Sequence, residues 1–381
     1  MKFFTKLQDQ LSISFSRLFA ATISGFFWFY LASILEKTDF GELGYLISVA
    51  GIASEVSILG LNQLIIVYGA KKEDVSSAYI FGLISSSSVS IITYLIIQNI
   101  AVSLLIFGYS IFILTTSGLN SKKKYGSYSI YIILQRTLIV ILSLFFYSIF
   151  GMNGLVLGFA LANVFVIKEF FNYVKGKKID LSFLKTKISF LKNNYATRLN
   201  WIIFWAGDKI MIGLIFGFYV LGNYQFASMY MIFLSTIPSS LAVYLLPLES
   251  EGIPNKKLKV YYIILSCVIV VAAVLLLPYL IENFLPNYQE AVLTMQVMTF
   301  ALIPITFTII RESEFLGREN SRIVLIGSVL QTTSYLIMIL VLGNEFGLLG
   351  FGFAFLFSTI PRTIFYLLFQ HKNSKFNNSI K

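Results

Sequence analysis

Six ionisable side chains lie within stretches that are otherwise apolar, and they are the residues of this chain best suited to chemistry. They are Arg17, Glu55, Arg136, Asp208, Lys209 and Arg362. An ionised group inside a membrane helix costs at least about 2.5 kcal/mol, so such groups usually face a polar cavity or a charged partner. Guanidinium groups bind phosphate oxygens in pairs, and carboxyl groups in a low dielectric can bind and release protons. This set indicates binding sites for an anion and an ion, and no catalytic residue is predicted.

The arginines differ in depth. Arg136 lies about a third of the way into its apolar stretch, which favours a cavity-lining position. For Arg17 and Arg362 two interpretations remain open: the side chain either reaches the membrane interface or lines a cavity. Arg198 and Arg311 lie at predicted cytoplasmic helix ends, where reaching the interface explains them.

Two interpretations of the acidic residues Glu55 and Asp208 remain open. Glu55 is surrounded by small residues, and Asp208 is followed directly by Lys209. Because adjacent helical residues point about 100° apart, Asp208 and Lys209 are not expected to share one direction. One reading is a buried ion pair, for example Glu55 with Lys209. The other is proton or cation coupling, with Glu55 favoured as the carrier because it has no basic neighbour in sequence.

These residues must be positioned by membrane helices. Hydrophobic residues make up 57% of the 381 residues, charged residues only 12%, and the mean hydropathy is +0.80, which excludes a soluble globular protein. A helix needs about 20 residues to cross a hydrocarbon core of roughly 30 Å. The sequence predicts an all-α protein with twelve spans, at 12–35, 42–69, 77–97, 100–118, 126–149, 154–174, 197–217, 220–248, 259–281, 289–311, 322–343 and 347–370.

Several kinds of chemistry are excluded by residue counts. The single cysteine, Cys267, and the single histidine, His371, exclude an intrachain disulfide and Cys/His metal or catalytic clusters. No Gly-x-x-x-x-Gly-Lys-Ser/Thr loop occurs, so ATP is not hydrolysed by that route. We therefore expect no cofactor and no enzyme activity.

Lysine and arginine residues sort onto alternate loops, and the intervening loops hold only Lys37. Because cytoplasmic loops carry an excess of these residues, the basic loops and both termini are predicted to be cytoplasmic, in a plasma or inner membrane. The formal net charge of +11 is thus a topology signal, and no nucleic-acid partner is expected. The basic segment from Lys175 to Lys192 either contacts anionic lipid headgroups or is a plain solvated loop.

Two short patterns recur at matching places in two halves of the chain. After the first and seventh predicted helices stand Phe40-Gly41-Glu42-Leu43 and Leu221-Gly222-Asn223-Tyr224. At the last helix of each half stand Gly151-Met152-Asn153-Gly154-Leu155 and Gly347-Leu348-Leu349-Gly350-Phe351. The alternative to a repeat is that Gly-x-x-Gly only lets helices or turns approach closely.

The repeat predicts a domain organisation. A six-helix bundle over 1–174 is followed by a basic cytoplasmic linker over 175–196, and a second bundle with a short cytoplasmic tail covers 197–381. Because six is even, both bundles enter the membrane from the same side, which makes the repeat parallel, with its pseudo-twofold axis along the membrane normal. This arrangement favours a transporter.

The motifs in this order resemble those of a known family. They are Asp39-Phe40-Gly41-Glu42-Leu43-Gly44-Tyr45, Asp208-Lys209-Ile210-Met211-Ile212-Gly213, Leu221-Gly222-Asn223-Tyr224-Gln225-Phe226-Ala227, Pro247 and Gly347-Leu348-Leu349-Gly350. Over nearly its whole length the chain resembles the polysaccharide-biosynthesis flippases of the multidrug/oligosaccharidyl-lipid/polysaccharide exporter superfamily. It differs from them in its short length, in its minimal loops and in the sequence of residues 200–205.

The resemblance implies two six-helix bundles around a central cavity, lined largely by the first, second, seventh and eighth helices, and alternating access. It implies a polyprenyl-linked oligosaccharide as substrate, turned from the cytoplasmic to the outer leaflet, with membrane lipids and glycan assembly enzymes as partners. In that setting Arg136, supported by Arg17, Arg362 and Lys209, would bind the substrate, and its diphosphate would meet the arginines. Glu55 and Asp208 would couple transport to an ion.

Two other functions remain open. A drug/cation antiporter of the same superfamily would suit a cavity dominated by Glu55 and Asp208, whereas one dominated by arginine would repel cations. A membrane glycosyltransferase or polysaccharide polymerase also handles polyprenyl-linked sugars. Such enzymes usually need carboxylates and a sizeable outer loop, and the longest predicted outer loop, near Glu282 to Glu290, is short.

The predicted topology can be checked with reporter fusions. A reporter active only outside the cytoplasm should give signal when it is fused after Asn344 and none when it is fused after Asn120, because these loops lie on opposite sides. The reverse pattern of signals would contradict this topology.

Overall fold

The computed structural model describes residues 2–175, 181–251 and 255–378, and the regular elements in these ranges are helices. The α-helices are α1 (Lys2–Ile34), α2 (Lys37–Ile58), α3 (Leu61–Ala70), α4 (Ser76–Ile97), α5 (Ile100–Ser121), α6 (Tyr125–Val164), α7 (Ile167–Val174), α8 (Leu181–Thr186), α9 (Ile188–Ile202), α10 (Asp208–Phe216), α11 (Phe218–Ser250), α12 (Lys256–Phe284), α13 (Val292–Thr299), α14 (Leu302–Gly317) and α15 (Ser321–Asn378). A π-helical turn (Ile203–Gly207) joins α9 to α10, and a 3₁₀ turn (Pro286–Ala291) precedes α13.

The helices divide into two compact units. Unit 1 comprises Met1–Ile34 and Glu42–Ile210, and unit 2 comprises Leu35–Gly41 and Met211–Lys381. The linker predicted over 175–196 includes residues 176–180, which lie outside the described ranges. The bundle boundaries drawn from the sequence therefore stay a prediction.

Seven described helical segments are long and apolar enough to cross a membrane, and α2 with α3, bent by 48°, makes an eighth. Two of the seven, α6 and the apolar part of α15, are far longer than a crossing requires. At 1.5 Å per residue the 40 residues of α6 would extend about 60 Å, twice the hydrocarbon thickness. Each of these two helices must therefore turn back.

The reversals occur at the glycines that begin the repeated Gly-x-x-Gly pattern. Gly151 has φ 59° and ψ −139°, and Gly347 has φ 56° and ψ −132°, conformations that favour glycine. Hydrogen bonds cross both hairpins, from Gln135 Nε2 to Asn163 Oδ1 at 2.6 Å and from Arg362 Nη1 to Gln331 Oε1 at 2.8 Å. Both α6 and α15 are thus pairs of antiparallel helices.

The second glycine of each pattern allows the two arms to touch. A methyl group at Gly154 would collide with the Phe146 carbonyl, and one at Gly350 with the Leu342 carbonyl. The second arm of α6, 152–164, is too short to cross alone and is continued by α7. With both hairpins counted as two spans, and with α1 and α11 of 33 residues each, the described residues then contain twelve segments of crossing length. The predicted all-α membrane fold is confirmed.

The other repeated pattern forms a reciprocal contact within unit 2. A side chain on Gly41 would meet the Phe218 carbonyl, and one on Gly222 would meet the Lys37 carbonyl. Each glycine thus packs on the carbonyl four residues before the other glycine. Two equivalent segments related by a twofold axis make this kind of contact, so it supports the internal repeat.

Replacing Gly154 with alanine should destabilise the protein, because the added methyl group has no room against the Phe146 carbonyl. Such overpacking costs about 1–3 kcal/mol. Gly126→Ala in the same helix is the matched control, since no neighbouring atom lies within 4 Å of its new methyl group. Thermal unfolding of the purified variants in detergent should show a lower midpoint for Gly154→Ala only. Equal midpoints would refute a close-packing role for this glycine.

Candidate functional site

Glu55 and Arg198 form an ion pair in unit 1. The Nε of Arg198 lies 3.1 Å from Oε1 of Glu55, and its Nη2 lies 3.2 Å from Oε2. The Glu55 side chain is 5% exposed and that of Arg198 34%. The suggested pair of Glu55 with Lys209 is therefore wrong, and so is the expectation that Arg198 only reaches the interface. The reason is that α9 packs against α3, just beyond the bend that ends α2, which the sequence does not reveal.

This packing depends on Gly60, at the bend between α2 and α3. A methyl group there would lie 3.0 Å from the Leu191 carbonyl, and the residue has φ 77°. The contact of α2 itself with α9 is looser, since a methyl group at Gly51 would lie 3.6 Å from Cδ1 of Ile202, an ordinary van der Waals distance. Glu55 lies between these two glycines, and the long side chain of Arg198 reaches it.

Asp208 and Lys209 pair with each other at the start of α10. The Lys209 Nζ lies 3.2 Å from Asp208 Oδ1 and donates to the Trp205 carbonyl at 2.7 Å. The Lys209 backbone N–H donates to the same Asp208 oxygen at 2.8 Å. The side chains are 7% exposed for Lys209 and 3% for Asp208. The expectation that these neighbours cannot share a direction is wrong, because the lysine folds back beside a π-helical turn that shifts the backbone hydrogen bonds.

Both acids proposed for ion coupling thus have a cationic partner. Glu55 is neutralised by Arg198, and Asp208 by Lys209. Each acid is therefore the counter-ion of a basic side chain. The ammonium group of Lys209 is also held in place, because it donates to the Trp205 carbonyl and to the Asp208 carboxylate.

Arg362 is also neutralised, within unit 2. Its guanidinium pairs with Glu312, donates to Gln331 Oε1 at 2.8 Å and donates from Nε to the Tyr366 hydroxyl at 3.2 Å. The Tyr366 hydroxyl in turn donates to Glu312 Oε1 at 3.1 Å. A role for Arg362 in anion binding stays a prediction, and it would require the anion to compete with Glu312.

A second charge cluster in unit 2 escaped the sequence analysis. Lys259 Nζ lies 2.6 Å from Glu249 Oε1 and 2.6 Å from Glu314 Oε1, and Arg311 Nη1 lies 2.7 Å from Glu314 Oε2. The sequence places Lys259 at the start of the ninth predicted span and predicts that Arg311 reaches the interface. The four charges sum to zero, which explains how they share a partly buried site at the ends of α11 and α14 and the start of α12.

Arg136 is different, because among the described residues it makes no hydrogen bond or ion pair. It lies in α6, about 17 Å along the helix from Tyr125, and its side chain is half-buried. The Tyr109 phenol of α5 is close enough to interact with it electrostatically. Arg17 belongs to α1, and its side chain lies outside the part of the chain that is described.

A polar cluster in unit 2 joins the start of α2 to α11 and the 3₁₀ turn. Lys37 Nζ lies 3.3 Å from Glu290 Oε1, and the Tyr219 hydroxyl donates to the same carboxylate at 2.8 Å. Asn223 Nδ2 donates to Glu290 Oε2 at 3.3 Å. Lys37 and Tyr219 border a cleft of about 390 Å³. The sequence indicated only Lys37, as the exception among the outer loops, because nothing in it paired Lys37 with a distant glutamate.

The described ranges contain no group of three or more His, Cys, Asp or Glu side chains that could hold a metal ion. The buried cations described above lie beside groups of opposite sign, whereas Arg136 makes no such contact among the described residues. Such an arrangement can bind an anion at Arg136, whereas the described acids offer no vacant cluster for a divalent cation.

No family model matches the sequence, and no curated protein matches it either. Solved structures do match in fold. One is described as lipid II flippase MurJ in an inward closed conformation, with a TM-score of 0.79 and 14% identity over 94% of this chain and 87% of that chain.

Two MATE family transporters of the MOP superfamily also match. An inward-facing conformation has a TM-score of 0.66 and 15% identity over 94% of this chain and 95% of that chain. An outward-facing conformation has a TM-score of 0.61 and 14% identity over 97% of this chain and 94% of that chain. The fold expected from the resemblance is therefore confirmed: this chain has the twelve-helix fold of the multidrug/oligosaccharidyl-lipid/polysaccharide exporters.

Proposed function

We propose that this chain is a flippase that moves a polyprenyl-diphosphate-linked oligosaccharide from the cytoplasmic to the outer leaflet by alternating access. The observation that carries the proposal is the guanidinium of Arg136. It lies deep in a spanning helix and has no carboxylate partner among the described residues, whereas the other buried cations described above each have one.

An uncompensated guanidinium in a membrane helix is costly unless a ligand or water neutralises it. A diphosphate supplies the missing negative charge, and its oxygens match the planar donors of arginine. At about 17 Å along its helix, Arg136 lies near the middle of the roughly 30 Å that the phosphate group must cross. The role proposed for Arg136 is to offset the cost of bringing this charge into the membrane.

The fold is compatible with both a lipid flippase and a drug transporter, since both kinds of protein share it. The charge pattern favours the flippase. A cationic drug needs an available acid, and Glu55 and Asp208 are paired with Arg198 and Lys209. A polymerase or glycosyltransferase is disfavoured by the fold, which is that of transporters.

The finer parts of this function are proposals of the same kind. We place the protein in the plasma or inner membrane with both termini in the cytoplasm, in accordance with the distribution of lysine and arginine. Its partners would be membrane lipids and the enzymes that assemble the lipid-linked glycan on the cytoplasmic side. Arg17, Arg362 and Lys209 are secondary candidates for substrate contact.

Arg136 can be tested by substitution. Arg136→Lys keeps the charge but loses the planar guanidinium, so glycan export should fall. In Arg136→Ala export should fall further, by tenfold or more, which corresponds to about 1.4 kcal/mol. Export is compared in cells that hold equal amounts of each variant in the membrane. Arg318→Lys, in an exposed loop, is the control and should export normally. Normal export by Arg136→Ala would remove this residue from the substrate site.

Ion coupling by Glu55 or Asp208 stays a prediction, and the ion pairs that hold both acids count against it. In liposomes with an imposed pH gradient, flux of a fluorescent lipid-linked sugar should lose its dependence on the gradient in Glu55→Gln or in Asp208→Asn if that acid carries protons. Because both acids are held by cations, we expect the gradient dependence to persist in both variants. Its loss in either one would identify that acid as a proton carrier.

A further inference from the structure

We propose that Arg198 is a second phosphate-binding residue, and that it receives the substrate diphosphate at the membrane surface before Arg136 does. This inference rests on the proposed function and extends it to a residue that the sequence had assigned to the membrane interface. The geometry of the Glu55–Arg198 pair carries it.

The guanidinium of Arg198 has a vacant side. A guanidinium carries five N–H donors, and Glu55 takes only those of Nε and one from Nη2. Among the described residues nothing accepts from the edge formed by Nη1 and the second N–H of Nη2. That edge has the spacing for a second bidentate contact, so a phosphate can bind while Glu55 stays bound.

Burial of the pair is uneven, which shows where a ligand could approach. Glu55 is 5% exposed and Arg198 34%, so the carboxylate is covered and the guanidinium presents the open surface. The Asp208–Lys209 pair is covered on both sides, at 3% and 7%. A pair that only stabilised the fold would be expected to resemble Asp208–Lys209. The Glu55–Arg198 pair instead leaves its cation accessible.

The pair lies toward the side from which a lipid diphosphate enters. From Arg198 to Phe216, where α10 ends, the helices rise about 27 Å, and from Lys37 to Glu55 helix α2 also rises about 27 Å. Each run continues past the pair, through α9 to Ile188 and through α3 to Ala70. The pair therefore lies in the half of these spans nearer the basic loops, the side on which the diphosphate of a polyprenyl carrier resides before transport.

A second contact fixes the guanidinium. Its Cζ lies 5.6 Å from the ring centroid of Trp201, whose indole is exposed. Together with Glu55, this contact holds the guanidinium from two directions and limits its rotation. A donor that is held in place loses less conformational freedom when it binds a ligand. Arg198 is thus preorganised for an anion, and Trp201 lies beside the place where that anion would bind.

The test measures binding of polyprenyl diphosphate to the full-length protein in detergent, with uncharged polyprenol and inorganic pyrophosphate as further probes. Two variants break the same ion pair with opposite effects on charge. Arg198→Gln removes the phosphate donor and should weaken diphosphate binding at least tenfold. Glu55→Gln removes a competing negative charge and should tighten it. Polyprenol binding should be the same in both variants.

A spectroscopic measurement covers the case in which a variant folds poorly. In a protein with Trp28→Phe and Trp205→Phe, Trp201 is the sole remaining tryptophan, and its fluorescence should change when polyprenyl diphosphate is added but not when polyprenol is. A change in Trp201 fluorescence on adding inorganic pyrophosphate, as large as that with polyprenyl diphosphate, would show that a free diphosphate is the ligand.

The outcomes separate the two proposals. If wild type binds the lipid diphosphate, and both variants weaken equally or neither changes, Arg198 has only a structural role and the inference is overturned while the proposed function stands. A Trp201 signal that is unaffected by the diphosphate also overturns it. If wild type binds no polyprenyl diphosphate at all, the proposed substrate class fails, and the inference fails with it.

Discussion

The interaction on which this structure depends is the neutralisation of charge inside apolar helices. An ionised group within an apolar helix is costly unless an opposite charge, a ligand or water lies close to it. Glu55 meets Arg198, Asp208 meets Lys209, and Arg362 meets Glu312. Each pair removes a local net charge from its unit. Against this background a cation without an internal partner is a functional signal, because its cost must be offset by something that binds.

Glycine permits close helix packing near these pairs. Gly60 lets α9 approach the bend after α2, near Glu55, and Gly154 and Gly350 let the arms of the two hairpins touch. Removing one partner of a buried pair costs about 3–5 kcal/mol, whereas a pair that stays intact adds little net stability. The pairs therefore specify how helices align more than they stabilise the fold, and the glycines define where that alignment is allowed.

Much of the architecture could be predicted from the sequence, because it depends on local patterns. Apolar length predicts the spans, and the repeated glycines at 151 and 347 predict related turns, which the structure realises as helical hairpins. The partners of the charged residues could not be predicted. Glu55 and Arg198 are 143 positions apart, and no periodicity in either helix encodes their contact. The π-helical turn before Asp208 could not be predicted either, because it depends on one extra residue in a helical turn.

The central claim is that the Arg136 guanidinium, which has no partner among the described residues, binds the diphosphate of the substrate. Translocation in proteoliposomes tests it most directly. Two fluorescent polyprenyl sugars would be compared, one joined through a diphosphate and one through a neutral linkage. The fraction of each that becomes accessible to a membrane-impermeant reagent is then measured over time. We predict protein-dependent movement of the diphosphate-linked lipid and movement of the neutral lipid no faster than in protein-free vesicles. Equal movement of both lipids, or of neither, would contradict the claim.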